Sequence, residues 1–188
     1  LLVHSEKNSI HLKELERSGC RGVYWWSHAV IAHDWFRYAE NDPDLVFNTT
    51  HITKDFLIYN RAWCNTREYR LKLTELLVTN ELIADCQTRF NPIDRDIHYT
   101  NYIFKNPDFV PGINNLEHFF DLNTANSDSS ADYNSDDYNN IAIEVVLETL
   151  FDDSRIHLTE KILRPIACGK PWILASTQGA LEYLRSYG

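Results

Sequence analysis

An α/β fold, with a parallel sheet and helices on both of its faces, is predicted by three observations on this 188-residue chain. Short apolar runs rich in β-branched or aromatic residues recur at 1–4, 22–26, 55–60, 141–147 and 171–175. Segments of helical periodicity lie between most of them, and Asn, Asp, Pro or Gly marks many of the junctions. Strands that alternate with helices describe crossover units, whose strands run parallel in a Rossmann-like sheet. At 44% hydrophobic residues the chain can bury a core for one large domain or two small ones, so disorder is not the default.

Taken in order, Leu1 to His4 predicts a strand, the stretch around His11 to Ser18 a helix, and Gly22 to Trp26 a second strand. Ala29 to Glu40 places Ile31, Trp35 and Tyr38 at helical spacing, and Asn41-Asp-Pro43 stops that helix with turn chemistry. Leu45 to Phe47 is a short strand candidate. Asp55 to Asn60 reads as a strand, and Thr66 to Leu77 as a long helix burying Leu71, Leu73, Leu76 and Leu77, which makes a β-loop-α unit. Signals weaken from Thr79 to Leu122, where Asn101 to Phe104 is the best strand. Residues 123–140 are dominated by Asn, Asp and Ser, so a mobile exposed loop is expected. Ile141 to Leu147 then reads as a central strand, 160–168 as a helix disturbed by Pro165, Pro171 to Ala175 as a strand and 178–186 as a helix. Trp25, Trp26, Trp35 and Trp63 are expected in the core or on a cleft wall.

Net charge of −9 and a pI near 5.3 argue against a broad phosphate-tracking surface, which disfavours nucleic acid as a partner. A small anion in a local basic pocket is compatible with that balance. No apolar run approaches the roughly 20 residues that span a bilayer, and the opening Leu-Leu-Val is too short for a signal peptide; a soluble, cytoplasmic protein is expected. Cys20, Cys64, Cys86 and Cys168 are scattered without a C-x-x-C pair, so reduced thiols are expected and no metal site is signalled. The lack of methionine and the strand-like first residues suggest a fragment or a trimmed product.

The most informative stretch runs from Glu148 to Lys161, where a buried strand gives way to a helix. Thr159 is the expected N-cap, and the free N–H groups of the first turn make the junction an anion site. Lys161 in that turn opposes the helix dipole at a cost of ~0.3–1 kcal/mol, which an anionic ligand would reverse. Glu160 beside it can accept hydrogen bonds from a ribose diol. The bland alternative makes Glu160 a favourable first-turn acid and Lys161 a solvated side chain. Upstream, Arg61, Arg67 and Arg70 crowd a strand-to-helix connection, and guanidinium groups suit diphosphates because they donate bidentately. Arg67 is the stronger ligand candidate; Arg70 is as well explained by pairing with Glu68 or Glu75.

Other patterns carry less. Asp94-Arg-Asp96 has the D-x-D form of metal-dependent sugar transferases, but Asn91-Pro92 precedes it and an ordinary acidic turn is the better reading. Asp132 to Asp136 lacks the turn glycine of a calcium loop. His28 and His33, five apart, do not stack on one helix face and are read as core or surface histidines. No P-loop, G-x-S-x-G or G-x-G-x-x-G is present.

Glu148-Thr149, then Ile156-His-Leu-Thr-Glu-Lys161, then Gly169-Lys-Pro-Trp-Ile173 resembles the α1,3-fucosyltransferase pattern of E-N-S, Y-x-T-E-K and a later apolar strand. Asn60 followed by Arg67 resembles that family's S-N-x-x-x-x-x-x-R element. The run from Leu158 to Ile173, with Leu181 to Gly188, is similar to glycosyltransferase-like proteins of marine phages and large viruses. The resemblance covers residues 144–188 and 55–77. It implies a GT-B glycosyltransferase, abbreviated or incomplete, with an acceptor-side domain that includes 1–54 and a nucleotide-sugar-binding domain at 55–188. It further implies that Arg67 and Lys161 hold the donor diphosphate, that Glu160 holds the ribose, and that Glu148 lies near the sugar or orders the site. No obligatory cofactor or metal is implied, and the partners are a nucleotide-sugar donor and a carbohydrate or other hydroxyl acceptor. Thr149, Leu150, His157 and Leu158 depart from the pattern, so fucose is not implied as the sugar. His4, Glu6, His33 and Asp34 are all available as the general base. The alternative is a non-catalytic carbohydrate- or partner-binding module on the same fold; a DNA-modifying sugar transferase fits the acidic charge poorly.

Overall fold

The computed structural model describes residues 1–47, 51–120 and 134–188. A four-stranded, all-parallel sheet forms its centre, built from β3 (Lys54–Ile58), β4 (Cys86–Thr88), β7 (Ile141–Leu147) and β8 (Trp172–Ala175) in the order β4-β3-β7-β8. Register is set by Phe56 beside both Cys86 and Ile143, and by Val145 beside Ile173. Adjacent residues of a strand point to opposite faces. Leu57 accordingly packs with Trp35, Ala39 and Ala167, whereas Ile58 packs with Tyr69 and Leu77. The first group brings α2 (Ala29–Asn41) and α5 (Leu163–Ala167) onto one face, and the second brings α3 (Tyr69–Thr79) onto the other. This mixed α/β architecture is compatible with a Rossmann-like fold.

A separate two-stranded parallel sheet pairs β1 (Leu2–His4) with β2 (Gly22–Tyr24) across α1 (Ile10–Arg17). Gly22 is required there: a Cβ would fall 2.5 Å from Leu12 Cδ1, the side chain that α1 buries. Helix α2 follows β2 and places Trp35 and Ala39 in the core under β3. Trp26 and Trp63 are also buried, while Trp25 is half exposed.

Several expectations need correction. Leu45–Phe47 and Asn101–Phe104 form no strand; β4 and the hairpin of β5 (Ile93–Asp94) with β6 (Ile97–His98) occupy the weakly patterned region instead. Within the expected loop at 123–140, residues 123–133 lie outside the described residues, but α4 (Ser135–Asn139) is helical and buries Asp137 and Tyr138. On α2, Tyr38 is exposed and Ala39 takes the inward place. Leu76 of α3 also faces outwards, and Arg70, Thr74 and Glu75 are buried in its stead. The helix expected at 160–168 is a 3-10 turn over Glu160–Ile162 that runs into α5, with Pro165 in the first α-turn, where its missing N–H costs least. Gly169 at φ 63 ends it, and α6 (Ala180–Arg185) closes the described structure. Among the described residues no helix is long and apolar enough to cross a membrane.

Candidate functional site

From β3 the chain crosses to β4 on one side, and from β7 it crosses to β8 on the other. The crevice between β3 and β7 at their carboxyl ends is therefore the topological switch point, where open α/β sheets bind ligands. A cavity of about 480 Å³ occupies this place, within the usual range for small-molecule sites. Residues after β3, residues after β4, the end of β7, and the segments that open α3 and α5 all line it. Six cations face it, namely Arg61, Arg67, Arg70, Arg95, Lys161 and Arg164, against the carboxylates of Asp94 and Glu144. Since the whole chain carries −9, this concentration of positive charge is local.

Two of the cations are committed to the fold. Arg164 donates through Nε to Tyr138 at 2.6 Å and through NH2 to Glu144 at 2.7 Å, with its guanidinium 3.9 Å from the Tyr59 ring centre. Arg70 donates to the carbonyls of Ala62 at 2.8 Å and Leu147 at 2.6 Å, tying the end of β7 to the turn after β3. Its expected pairing with Glu68 or Glu75 does not occur. Glu68 instead accepts from Tyr102 and from the amides of Lys105 and Asn106, and Glu75 holds Lys72 and the amide of Gly112. The buried Arg70 Nε has no hydrogen-bond partner among the described residues.

Arg67 is half buried and makes no side-chain hydrogen bond or ion pair with a described residue. Burial and then the neighbouring Arg70 charge hold its guanidinium below its ordinary pKa. An anion beside it would relieve both effects. The D-x-D segment contributes no free carboxylate pair at this wall. Arg95 and Asp96, at φ 51 and 63, form the two-residue turn of the β5–β6 hairpin, and Asp94 accepts from the amides of Trp63 and Cys64 at 2.8 Å each.

At the other wall the junction is built around Glu148, which is fully buried. Its carboxylate accepts from Thr159 N at 3.0 Å and Thr159 Oγ1 at 2.6 Å, so it orders the turn from beneath. Thr159 caps as expected, its Oγ1 accepting from Lys161 N at 3.4 Å. Lys161 is no solvated side chain: it is only 16% exposed, and its Nζ donates to Thr159 Oγ1 at 3.0 Å and Glu160 Oε1 at 3.2 Å. Burial lowers its pKa, with Glu148 and Glu160 opposing, and burial raises that of Glu148, with Lys161 opposing. These two acids offset the unfavourable placement of a cation in a first turn. Because the 3-10 turn and α5 are so short, side chains rather than a helix dipole supply the positive field here.

The structure thus brings Arg67 and Lys161, far apart in sequence, to one cavity. Thr159 and Glu148 stand behind Lys161, and Glu160 turns its second oxygen towards His28 Nε2, 3.9 Å away. Sequence reasoning missed Arg164 and Glu144; a lone acid in an apolar strand and an arginine in a buried helical turn were the available signals. Among the described residues no group of three or more His, Cys, Asp or Glu side chains is placed to hold a metal ion. Comparisons with protein-family models, with curated proteins and with solved structures return no match to this chain.

Proposed function

We propose that this protein is a nucleotide-sugar-dependent glycosyltransferase that binds the donor diphosphate in the basic cavity and forms all or part of a GT-B arrangement. The observation that carries the reading is the convergence of Arg67 and Lys161 on the switch-point cavity of an otherwise acidic chain. In this reading the bond from the sugar carbon to the phosphate oxygen breaks, and its electron pair leaves with the diphosphate. Arg67, Lys161 and the rim arginines lower the energy of that charge as it develops. Glu148 and Thr159 position Lys161, and Glu160 orients it through their shared hydrogen bond.

Calorimetry of the folded chain with a panel of nucleoside diphosphates and their sugars tests this. At least one member is expected to bind, and Arg67→Ala or Lys161→Ala to weaken it about tenfold or more. Absence of binding by every member overturns the reading. Binding without transfer to any acceptor would select the alternative, a non-catalytic module that keeps the fold.

A further inference from the structure

Across Glu160 and Lys161 from the cavity, a second polar cluster stands that diphosphate binding does not use. The antiparallel bridge of Lys7 with Ile156, through two 2.9 Å hydrogen bonds, sets Glu6 against both neighbours of Ile156. Arg155 NH1 donates to Glu6 Oε2 at 3.0 Å, and His157 Nδ1 lies 4.0 Å from Glu6 Oε1. The His157 ring centre is 5.1 Å from that of His28, which precedes α2 and faces Glu160. Glu160 holds Lys161, so the cluster runs without a break from Glu6 to the cavity wall. Two ring nitrogens, His157 Nε2 and His28 Nδ1, are buried without a hydrogen-bond partner among the described residues. Other atoms of the two rings reach the surface, the side chains being 15% and 27% exposed. Buried polar atoms without partners are uncommon, and two in adjoining rings call for a partner that a bound water or a ligand hydroxyl can supply.

We propose that this cluster is a hydroxyl-binding subsite for a polyhydroxy acceptor, with His157 Nε2 receiving the hydroxyl proton. The binding claim stands alone, while the chemical step rests on the glycosyl-transfer reading. In that step the acceptor oxygen bonds to the sugar carbon as the carbon–phosphate-oxygen bond breaks. The electron pair goes to the diphosphate and the proton to Nε2, and Glu6 facing Nδ1 balances the resulting imidazolium. Burial, followed by His28 and Lys161, keeps His157 below the ordinary histidine range, with Glu6 and Glu160 opposing. A lowered pKa favours the neutral ring, which can accept a proton.

Imidazole nitrogen NMR on the whole chain tests the proposal, with glycerol, hexoses and N-acetylhexosamines as probes at high millimolar concentration. The expected result is an unprotonated Nε2 at pH 7 whose resonance moves saturably with at least one probe. His157→Phe should weaken that probe about tenfold or more while nucleoside diphosphate affinity stays within about twofold. A proton on Nε2 at pH 7, no probe moving its resonance, or equal probe binding by His157→Phe would each overturn the proposal. If that variant fails to fold, the wild-type resonances alone decide. Failure of the diphosphate reading shows separately, as absent nucleotide binding with the Nε2 response intact.

Discussion

Arg164 and Arg67 line one cavity under opposite conditions. Arg164 is 1% exposed and held by Glu144 and Tyr138, whereas Arg67 is half buried and bonded to no described side chain or carbonyl. Burial opposes the charge on both, but Glu144 lifts Arg164 above its ordinary pKa while Arg70 pushes Arg67 further below. Arg164, bonded to a buried counterion, belongs to the fold; Arg67, whose strongest charged neighbour is another cation, is placed to take an anion from outside. The inner wall of the cavity is therefore structural and the rim is available for binding.

Substitutions should separate the two walls. The largest expected effect is that of Arg164→Leu, which strands Glu144 in the core and should destabilise by about 3–5 kcal/mol in denaturant unfolding. Adding Glu144→Leu should restore a substantial part, and no recovery would show that the pair is not the cause. Arg70→Ala comes next, at about 2–3 kcal/mol, because the carbonyls of Ala62 and Leu147 lose a charged donor. Arg67→Ala should instead change stability by no more than about 0.5 kcal/mol while nucleotide affinity falls by about 1.4 kcal/mol or more. A large stability loss there would erase the distinction between the walls.

The smallest expected effect is on pH dependence. His157 has a lowered folded pKa, so the folded state binds its proton less readily than the unfolded chain does. Its contribution to stability is complete above the unfolded value of about 6.5 and is lost as pH falls through the folded one. Unfolding free energy should decline on acidification from about pH 7, above the window in which Asp153 and Glu160, both lowered, begin to matter. His157→Gln should flatten that decline, and an unchanged slope would remove His157 as its source.

The central sheet was legible where a strand carried a run of β-branched residues, as in 141–147. Cys86-Gln-Thr88 carries no such run and becomes a strand only because Phe56, Leu57 and Ile58 offer it an edge. The β5–β6 hairpin was hidden for a similar reason: its turn uses Arg95 and Asp96 at positive φ rather than Asn-Gly. At the site, spacing and residue type singled out Arg67, Thr159 and Lys161. The bonds of Arg70 to strand-end carbonyls depend on tertiary approach and leave no local pattern. Helical spacing likewise set His28 aside, yet His28 meets His157 through the packing of α2 and the Lys7–Ile156 bridge.

Glu148 grips Thr159 across eleven positions, and the chain between them bulges outwards before returning. Such a clasp separates the ends of a segment from its tip: the ends are fixed by a buried carboxylate, while the tip stays at the surface. Ser154, exposed in that tip, is therefore a natural attachment point for a fluorophore or an immobilisation tag. A probe there would sit beside Arg155, which Glu6 holds, and report on that side of the molecule.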